Sequence, residues 1–85
     1  MDARVQVYST VVCGYCVRAK ALLDRLRIPF KEIDVSEDAD RRQWLVSTTG
    51  QRTVPQIFID GRSIGGYTEL AALERAGELN ALLTA

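Results

Sequence analysis

Two different periodic patterns of apolar residues follow each other along the first third of the chain, one typical of a strand and one typical of a helix. Apolar side chains at alternate positions over residues 5–8 predict a β-strand. After a CGYC segment, five side chains recur on one face of a predicted helix: Tyr15, Ala19, Leu22, Leu23 and Leu26. Because Pro29 restricts Ile28 to extended conformations, we expect this helix to end there, before a second strand over residues 30–35. This succession predicts a βαβ unit with parallel strands.

A second helix is predicted between this unit and Gly50. Ser36 or Asp38 can cap its start. Its apolar positions are Trp44, Leu45 and Val46. Gly50 can end it, since glycine readily adopts the left-handed conformation that follows many helices. We interpret Trp44 and Tyr8 as core or half-buried packing residues without a functional role.

The last part of the chain predicts a hairpin and a final helix. Residues 56–59 predict a third strand, and the Asp-Gly pair at residues 60–61 is a strong hairpin signal before a short strand over residues 62–64. A Gly-Gly pair then turns the chain. Thr68 can cap the final helix, which Gly77 is expected to interrupt.

These elements predict an α/β fold, with a four-stranded mixed sheet in the order βαβ-α-ββα flanked by three main helices. The length of 85 residues and the hydrophobic content of 47 % indicate a single domain over residues 1–85. The 11 basic and 11 acidic side chains cancel, so we expect neither nucleic acid nor a membrane as partner. With no signal peptide over residues 1–8 and no apolar run near the roughly 20 residues of a membrane span, we expect a cytoplasmic protein.

Cys13 and Cys16 carry the candidate chemistry. They lie where the first strand leads into the first helix. Cys13 would therefore stand at a helix N-terminus, where free N–H groups and the helix dipole favour a thiolate. Cys16, one turn deeper, would be more buried. The thiolate can attack a disulfide, and the second thiol can resolve the mixed disulfide without a general base.

Other uses of this cysteine pair fit the sequence less well. A structural zinc site needs four ligands, usually Cys and His, whereas the chain has two cysteines and no histidine. A disulfide that closes so short a loop would stabilise the fold little. Two inert core cysteines remain an open alternative.

Three separated segments give the chain a recognisable pattern. CGYC at residues 13–16 precedes RAKALL, TVPQIFI follows Gly50 at residues 53–59, and an Ile-Gly-Gly segment precedes Glu69. In this order the segments resemble the dithiol glutaredoxins, closest to the short bacterial type, over nearly the whole chain. The resemblance implies a thioredoxin-like fold with a cis peptide bond before Pro55. It also implies glutathione as a cosubstrate, with no tightly bound cofactor.

The resemblance implies one part of a glutathione site around the reactive sulfur. Tyr15 would line the groove beside Cys13. Thr53 and Val54, followed by Pro55, would hold the cysteinyl backbone of glutathione.

The second part of that site lies at the start of the last helix. Backbone N–H groups of Gly66, Tyr67 and Thr68 would bind the γ-glutamyl carboxylate. Thr68 or Glu69 would bind the γ-glutamyl ammonium group.

Three positions depart from the common family pattern. Gly14 stands where many relatives have proline, Thr10 where the family often has lysine, and Tyr67 where some short relatives have a third cysteine. Without that lysine, the glycyl carboxylate of glutathione would depend on Arg52, with Gln51 as the alternative.

The function implied by the resemblance is glutathione-dependent reduction of protein disulfides and of glutathione mixed disulfides by a monomer. An alternative is a dimer in which Cys13 of each chain and two glutathione thiolates hold a [2Fe–2S] cluster. Glycine at the position of Gly14 is associated with cluster binding in this family. A third possibility is a redoxin that thioredoxin reductase reduces.

Overall fold

The computed structural model describes residues 4–84, which form a four-stranded sheet with helices on both faces. The elements are β1 (Val5–Ser9), α1 (Gly14–Arg25), β2 (Phe30–Asp34), α2 (Ala39–Thr49), β3 (Gln56–Ile59), β4 (Arg62–Gly65), α3 (Tyr67–Arg75) and α4 (Glu78–Thr84). The strand order is β2-β1-β3-β4, with β1 parallel to β2 and β3 antiparallel to β1 and β4. The predicted mixed sheet is confirmed. None of the helices in residues 4–84 is long and apolar enough to cross a membrane.

Both faces of the two central strands are buried. One cluster joins the sheet to α1, α3 and α4: Val5, Val7, Ala19, Leu22, Leu23, Ile57, Ile59, Leu70 and Leu79. A smaller cluster lies under α2: Tyr8, Val35, Leu45 and Phe58. Because side chains alternate along a strand, Gln56 lies on the same face of β3 as Phe58. The core therefore fixes β3 firmly, directly after Pro55.

The aromatic residues under α2 differ in burial. Tyr8 is buried and packs edge-on against Phe58, with ring centroids 5.4 Å apart. Trp44 stacks on Phe58 at 5.7 Å but remains 46 % exposed. The packing role predicted for Tyr8 is confirmed, whereas Trp44 is an exposed residue that covers the cluster with one ring face.

The end of α1 differs from the prediction. The helix ends at Arg25, before Pro29 could restrict it. Arg27 adopts a left-handed φ of 59°, while Arg27 N–H donates to the Asp24 carbonyl and Ile28 N–H to the Leu23 carbonyl, at 3.0 and 2.9 Å. These two bonds form a Schellman turn, with arginine at the position that glycine usually occupies.

Either Ser36 or Asp38 was predicted to cap the start of α2, and Gly50 to cap its end. Asp38 is the N-cap, and its carboxylate accepts a 2.9 Å hydrogen bond from Arg41 N–H. Ser36 instead accepts a 2.8 Å bond from Val11 N–H and thereby holds the loop before Cys13. At the other end, Gly50 caps α2 with a left-handed φ of 74°, as predicted.

The predicted cap of the last helix was wrong. Gly66, not Thr68, is the N-cap of α3, and Thr68 lies inside the first helical turn. The carboxylate of Glu69 reaches back to the Gly66 N–H at 3.1 Å, so a side-chain cap from Thr68 is not needed. Gly77, with a φ of 74°, interrupts the helix as predicted, and the segment beyond it is a separate helix, α4.

Candidate active site

Cys13 is the N-cap residue of α1. Its backbone is extended, and its Sγ accepts a 3.0 Å hydrogen bond from Cys16 N–H. The first turn of α1 contains no acidic side chain. The sulfur of Cys13 thus lies where the N–H groups and the dipole of the helix favour a negative charge.

The two cysteines differ in their access to solvent. They form a disulfide in this structure, with Cα atoms 5.2 Å apart. Cys16 is only 1 % exposed because it belongs to the buried face of α1, whereas Cys13 is half-buried beside the fully accessible Val12. An incoming disulfide can therefore reach Cys13 but not Cys16, which suits Cys13 to attack and Cys16 to resolution.

The loop before β3 brings a backbone polar group to the sulfur of Cys13. The Val54 carbonyl oxygen lies 3.6 Å from Cys13 Sγ. The Val54–Pro55 peptide bond is cis, so this expectation is confirmed, and Pro55 is buried. The backbone of Val54, next to Thr53, is thereby held beside the sulfur of Cys13.

The start of α3 approaches this loop closely. A Cβ on Gly66 would lie 3.3 Å from the Pro55 carbonyl oxygen, so a side chain there would crowd the loop. The Gly66 N–H is occupied by Glu69. Tyr67 and Thr68 begin the helix, where N–H groups have no intrahelical partner. Of the three N–H groups predicted for the γ-glutamyl carboxylate, Tyr67 and Thr68 therefore offer the open ones.

A groove of about 210 Å³ joins these elements. Its lining residues are Tyr15, Gln51, Thr53, Val54, Pro55, Gly66, Tyr67, Thr68 and Glu69. Arg52 is not among them. It lines a neighbouring cleft against α2, which shares Gln51, Thr53 and Val54 with the groove. The structure thus brings together every predicted glutathione-binding residue except Arg52, and it places Gln51 in the groove instead.

An aromatic pair forms one wall of this groove. The rings of Tyr15 and Tyr67 lie 6.2 Å apart, and the Arg18 guanidinium lies 5.3 Å from the Tyr15 ring centroid. Tyr15 is 57 % exposed, so its predicted place on the buried face of α1 was wrong, and Cys16 occupies that face instead. The role of Arg18 could have been inferred, since side chains three residues apart meet on a helix.

Lys20 does not add free positive charge beside Cys13. Its ammonium group pairs with Glu32 at 2.7 Å, and the Ser9 hydroxyl donates to the same carboxylate at 2.7 Å. The bond from Lys20, followed by that from Ser9, lowers the pKa of Glu32 below its ordinary value of 4.5. The charge of Lys20 is paired within this network, whereas the N-terminus of α1 supplies positive potential directly at Cys13.

Comparison with known proteins places this site in a family. The glutaredoxin family model matches residues 5–64. Over 81 residues the chain is 43 % identical to glutaredoxin 3 of Escherichia coli K12, which covers 95 % of this chain and 98 % of that protein. It is 47 % identical over 81 residues to the glutaredoxin of Pseudomonas aeruginosa, with 95 % and 96 % covered. A crystal structure of a buckwheat glutaredoxin–glutathione complex has a TM-score of 0.90 and 38 % identity, over 96 % of this chain and 77 % of that one.

The matches to these relatives cover almost the entire chain, and the family model spans the residues of the cysteine pair. Glutaredoxins are generally thiol–disulfide oxidoreductases, and the mixed sheet described above is the thioredoxin-like fold. The chain belongs to the glutaredoxin family.

Proposed function

We propose that this protein reduces protein disulfides and glutathione mixed disulfides, with glutathione as the electron donor. The observation that carries the proposal is the asymmetry of the two sulfur atoms: Cys13 is accessible at a helix N-terminus beside the groove, and Cys16 is buried behind it. A thiolate is the nucleophile in disulfide exchange, and helix N-termini stabilise thiolates.

Two reactions follow from this arrangement. With a glutathionylated protein, the Cys13 thiolate bonds to the glutathione sulfur, and the protein thiolate leaves. A second glutathione thiolate then attacks this mixed disulfide, which releases oxidised glutathione and restores the Cys13 thiolate. With a protein disulfide, the Cys13 thiolate bonds to one substrate sulfur, and the other substrate sulfur leaves as a thiolate. Cys16 then loses its proton to solvent, and its thiolate attacks Cys13 Sγ and displaces the remaining substrate thiolate. The Cys13–Cys16 disulfide seen here is the product, and two glutathiones reduce it.

The groove supports glutathione as the partner. The backbone at Thr53 and Val54 can pair with the cysteinyl residue, and the open N–H groups of Tyr67 and Thr68 can bind the γ-glutamyl carboxylate. The buckwheat relative was solved as a glutathione complex. For the glycyl carboxylate we propose Arg52 or Gln51. The variants Arg52→Ala and Gln51→Ala distinguish them. The KM for glutathione should rise more in the variant that lacks the residue that binds this carboxylate.

Turnover of a glutathionylated peptide, coupled to glutathione reductase, tests the proposal. Cys16→Ser should keep this activity and lose the reduction of protein disulfides, while Cys13→Ser should lose both. Retained turnover in Cys13→Ser would contradict the mechanism. Replacing glutathione and its reductase with thioredoxin reductase should give little reduction, and faster reduction by that enzyme would overturn glutathione as the donor.

A second candidate function is cluster binding through Cys13, for which the open space at Gly14 leaves room. A Cβ at Gly14 would have no atom within 4 Å. Residues 4–84 contain no group of three or more His, Cys, Asp or Glu side chains that could hold a metal. With Cys16 buried, each chain could offer a [2Fe–2S] cluster only the Cys13 thiolate, and two glutathiones would complete the ligands. A brown dimer after anaerobic purification would support this function, and a colourless monomer after reconstitution would contradict it.

A further inference from the structure

Gln56 is a polar residue in an otherwise apolar strand. It is 0 % exposed, and the other three residues of β3 are the buried Ile57, Phe58 and Ile59. Its side-chain NH₂ group donates to the Thr53 carbonyl at 2.8 Å and to Gln51 Oε1 at 3.0 Å. Both acceptors belong to the loop that lines the groove. The polar end of Gln56 therefore serves the loop and not the core.

The remaining polar atom of Gln56 strengthens this interpretation. Its Oε1 is buried and has no hydrogen-bond partner among residues 4–84. An unpaired buried acceptor is unfavourable, and an apolar side chain of the same size would avoid it. Packing alone thus does not favour glutamine at this position. The bonds donated to Gln51 and Thr53, which include a longer one of 3.4 Å to Thr53 Oγ1, are the contacts that only the amide supplies.

The loop that Gln56 holds has few other anchors. Residues 51–53 lie outside the helices and strands. Thr49 bonds the backbone of Gln51, at the end of α2, whereas Gln56 reaches the loop from the rigid sheet. The next residue, Val54, has its carbonyl 3.6 Å from Cys13 Sγ. A shift of Thr53 would therefore move the backbone that faces the reactive sulfur.

We propose that Gln56 is a positioning residue for glutathione, which holds residues 51–53 so that the backbone of Thr53 and Val54 faces the cysteinyl part of the ligand. This inference rests on the proposed function. Gln56 does not touch the reacting sulfur, so its loss should weaken the binding of glutathione conjugates and leave the chemistry of Cys13 unchanged.

Gln56→Met tests the proposal, because methionine keeps the size of the side chain and removes both donors. The KM for a glutathionylated peptide should rise on the order of tenfold, the effect of about one net hydrogen bond, with kcat within about twofold. Reaction of the reduced protein with an aromatic disulfide that has no peptide backbone should keep its rate. Gln6→Met is the matched control, since Gln6 lies in β1 away from the groove, and it should leave KM unchanged.

Three results would overturn the inference: an unchanged KM in folded Gln56→Met, an equal rise in Gln6→Met, or an equal slowing with the aromatic disulfide. Should Gln56→Met fail to fold, Gln56→Leu removes the same donors with another apolar side chain that suits the buried site, and it should raise KM in the same way. Absence of turnover in the parent protein would contradict the proposed function itself, and this inference with it. Normal turnover of the parent with an unaltered variant would contradict the role of Gln56 alone.

Discussion

Replacing Gly65 with alanine should disturb both the fold and the groove. Gly65 ends β4 with a φ of 113°, and an alanine in such a conformation costs about 1–3 kcal/mol. Its Cβ would lie 2.6 Å from Glu69 Oε1. The Glu69 carboxylate must then leave the Gly66 N–H, which removes a capping bond of about 1 kcal/mol. The free energy of unfolding should fall by about 2–4 kcal/mol in total.

Urea unfolding measures this loss, and Gly61→Ala is its matched control. Gly61 also has a positive φ, 81°, but a Cβ there would meet no atom within 4 Å. The free energy of unfolding of Gly61→Ala should fall by only about 1–2 kcal/mol. Because Glu69 lines the groove, Gly65→Ala should also raise the KM for a glutathionylated peptide, and Gly61→Ala should not. Equal losses of stability in the two variants, or an unchanged KM in Gly65→Ala, would refute this reasoning.

Three further variants test other parts of the structure by urea unfolding. Arg27→Gly should raise the free energy of unfolding by about 0.5–1 kcal/mol, because glycine adopts the left-handed φ of 59° at lower cost; a loss would contradict the turn described after α1. Asp38→Ala should lower it by about 1 kcal/mol, because the helix cap is lost, and unchanged stability would count against that cap. Lys20→Met removes the main cause of the lowered Glu32 pKa. Stability from that shift is present above pH 4.5 and is lost as the pH falls below it, so the gap between the parent and Lys20→Met should shrink in acid, and a constant gap would contradict the pairing.

Much of the fold could be predicted because local patterns and tertiary packing agree. The βαβ unit, the Asp-Gly hairpin and the helix stop at Gly50 each depend on a few neighbouring residues. The place of Cys13 follows from the same logic, since the strand before it and the helix after it both have clear periods. The residues of the groove were predicted mainly through the family resemblance, because they come from three separate segments.

The structure differs from the predictions where contacts outside the local sequence pattern determine the conformation. Thr68 is a good capping residue. However, the Glu69 side chain accepts a hydrogen bond from the Gly66 N–H, and the helix begins two residues earlier than predicted. Arg27 ends α1 in a conformation that its residue type does not signal. Arg52 lines the cleft against α2, whereas Gln51 lines both that cleft and the groove. Residues 51–53 have no regular period, so no sequence pattern shows which of their side chains faces the groove. The burial of Gln56 depends on the pairing of β3 with β1, which brings it opposite Tyr8.

The central claim is that Cys13 takes up the glutathione sulfur during turnover. The most direct measurement is mass spectrometry of intact Cys16→Ser after brief reaction with a glutathionylated protein, followed by peptide mapping. Without Cys16, the mixed disulfide lacks its internal resolving thiol and should accumulate. The account predicts one glutathione per chain, attached to Cys13. A variant that releases the protein thiol and carries no glutathione on Cys13 would contradict it.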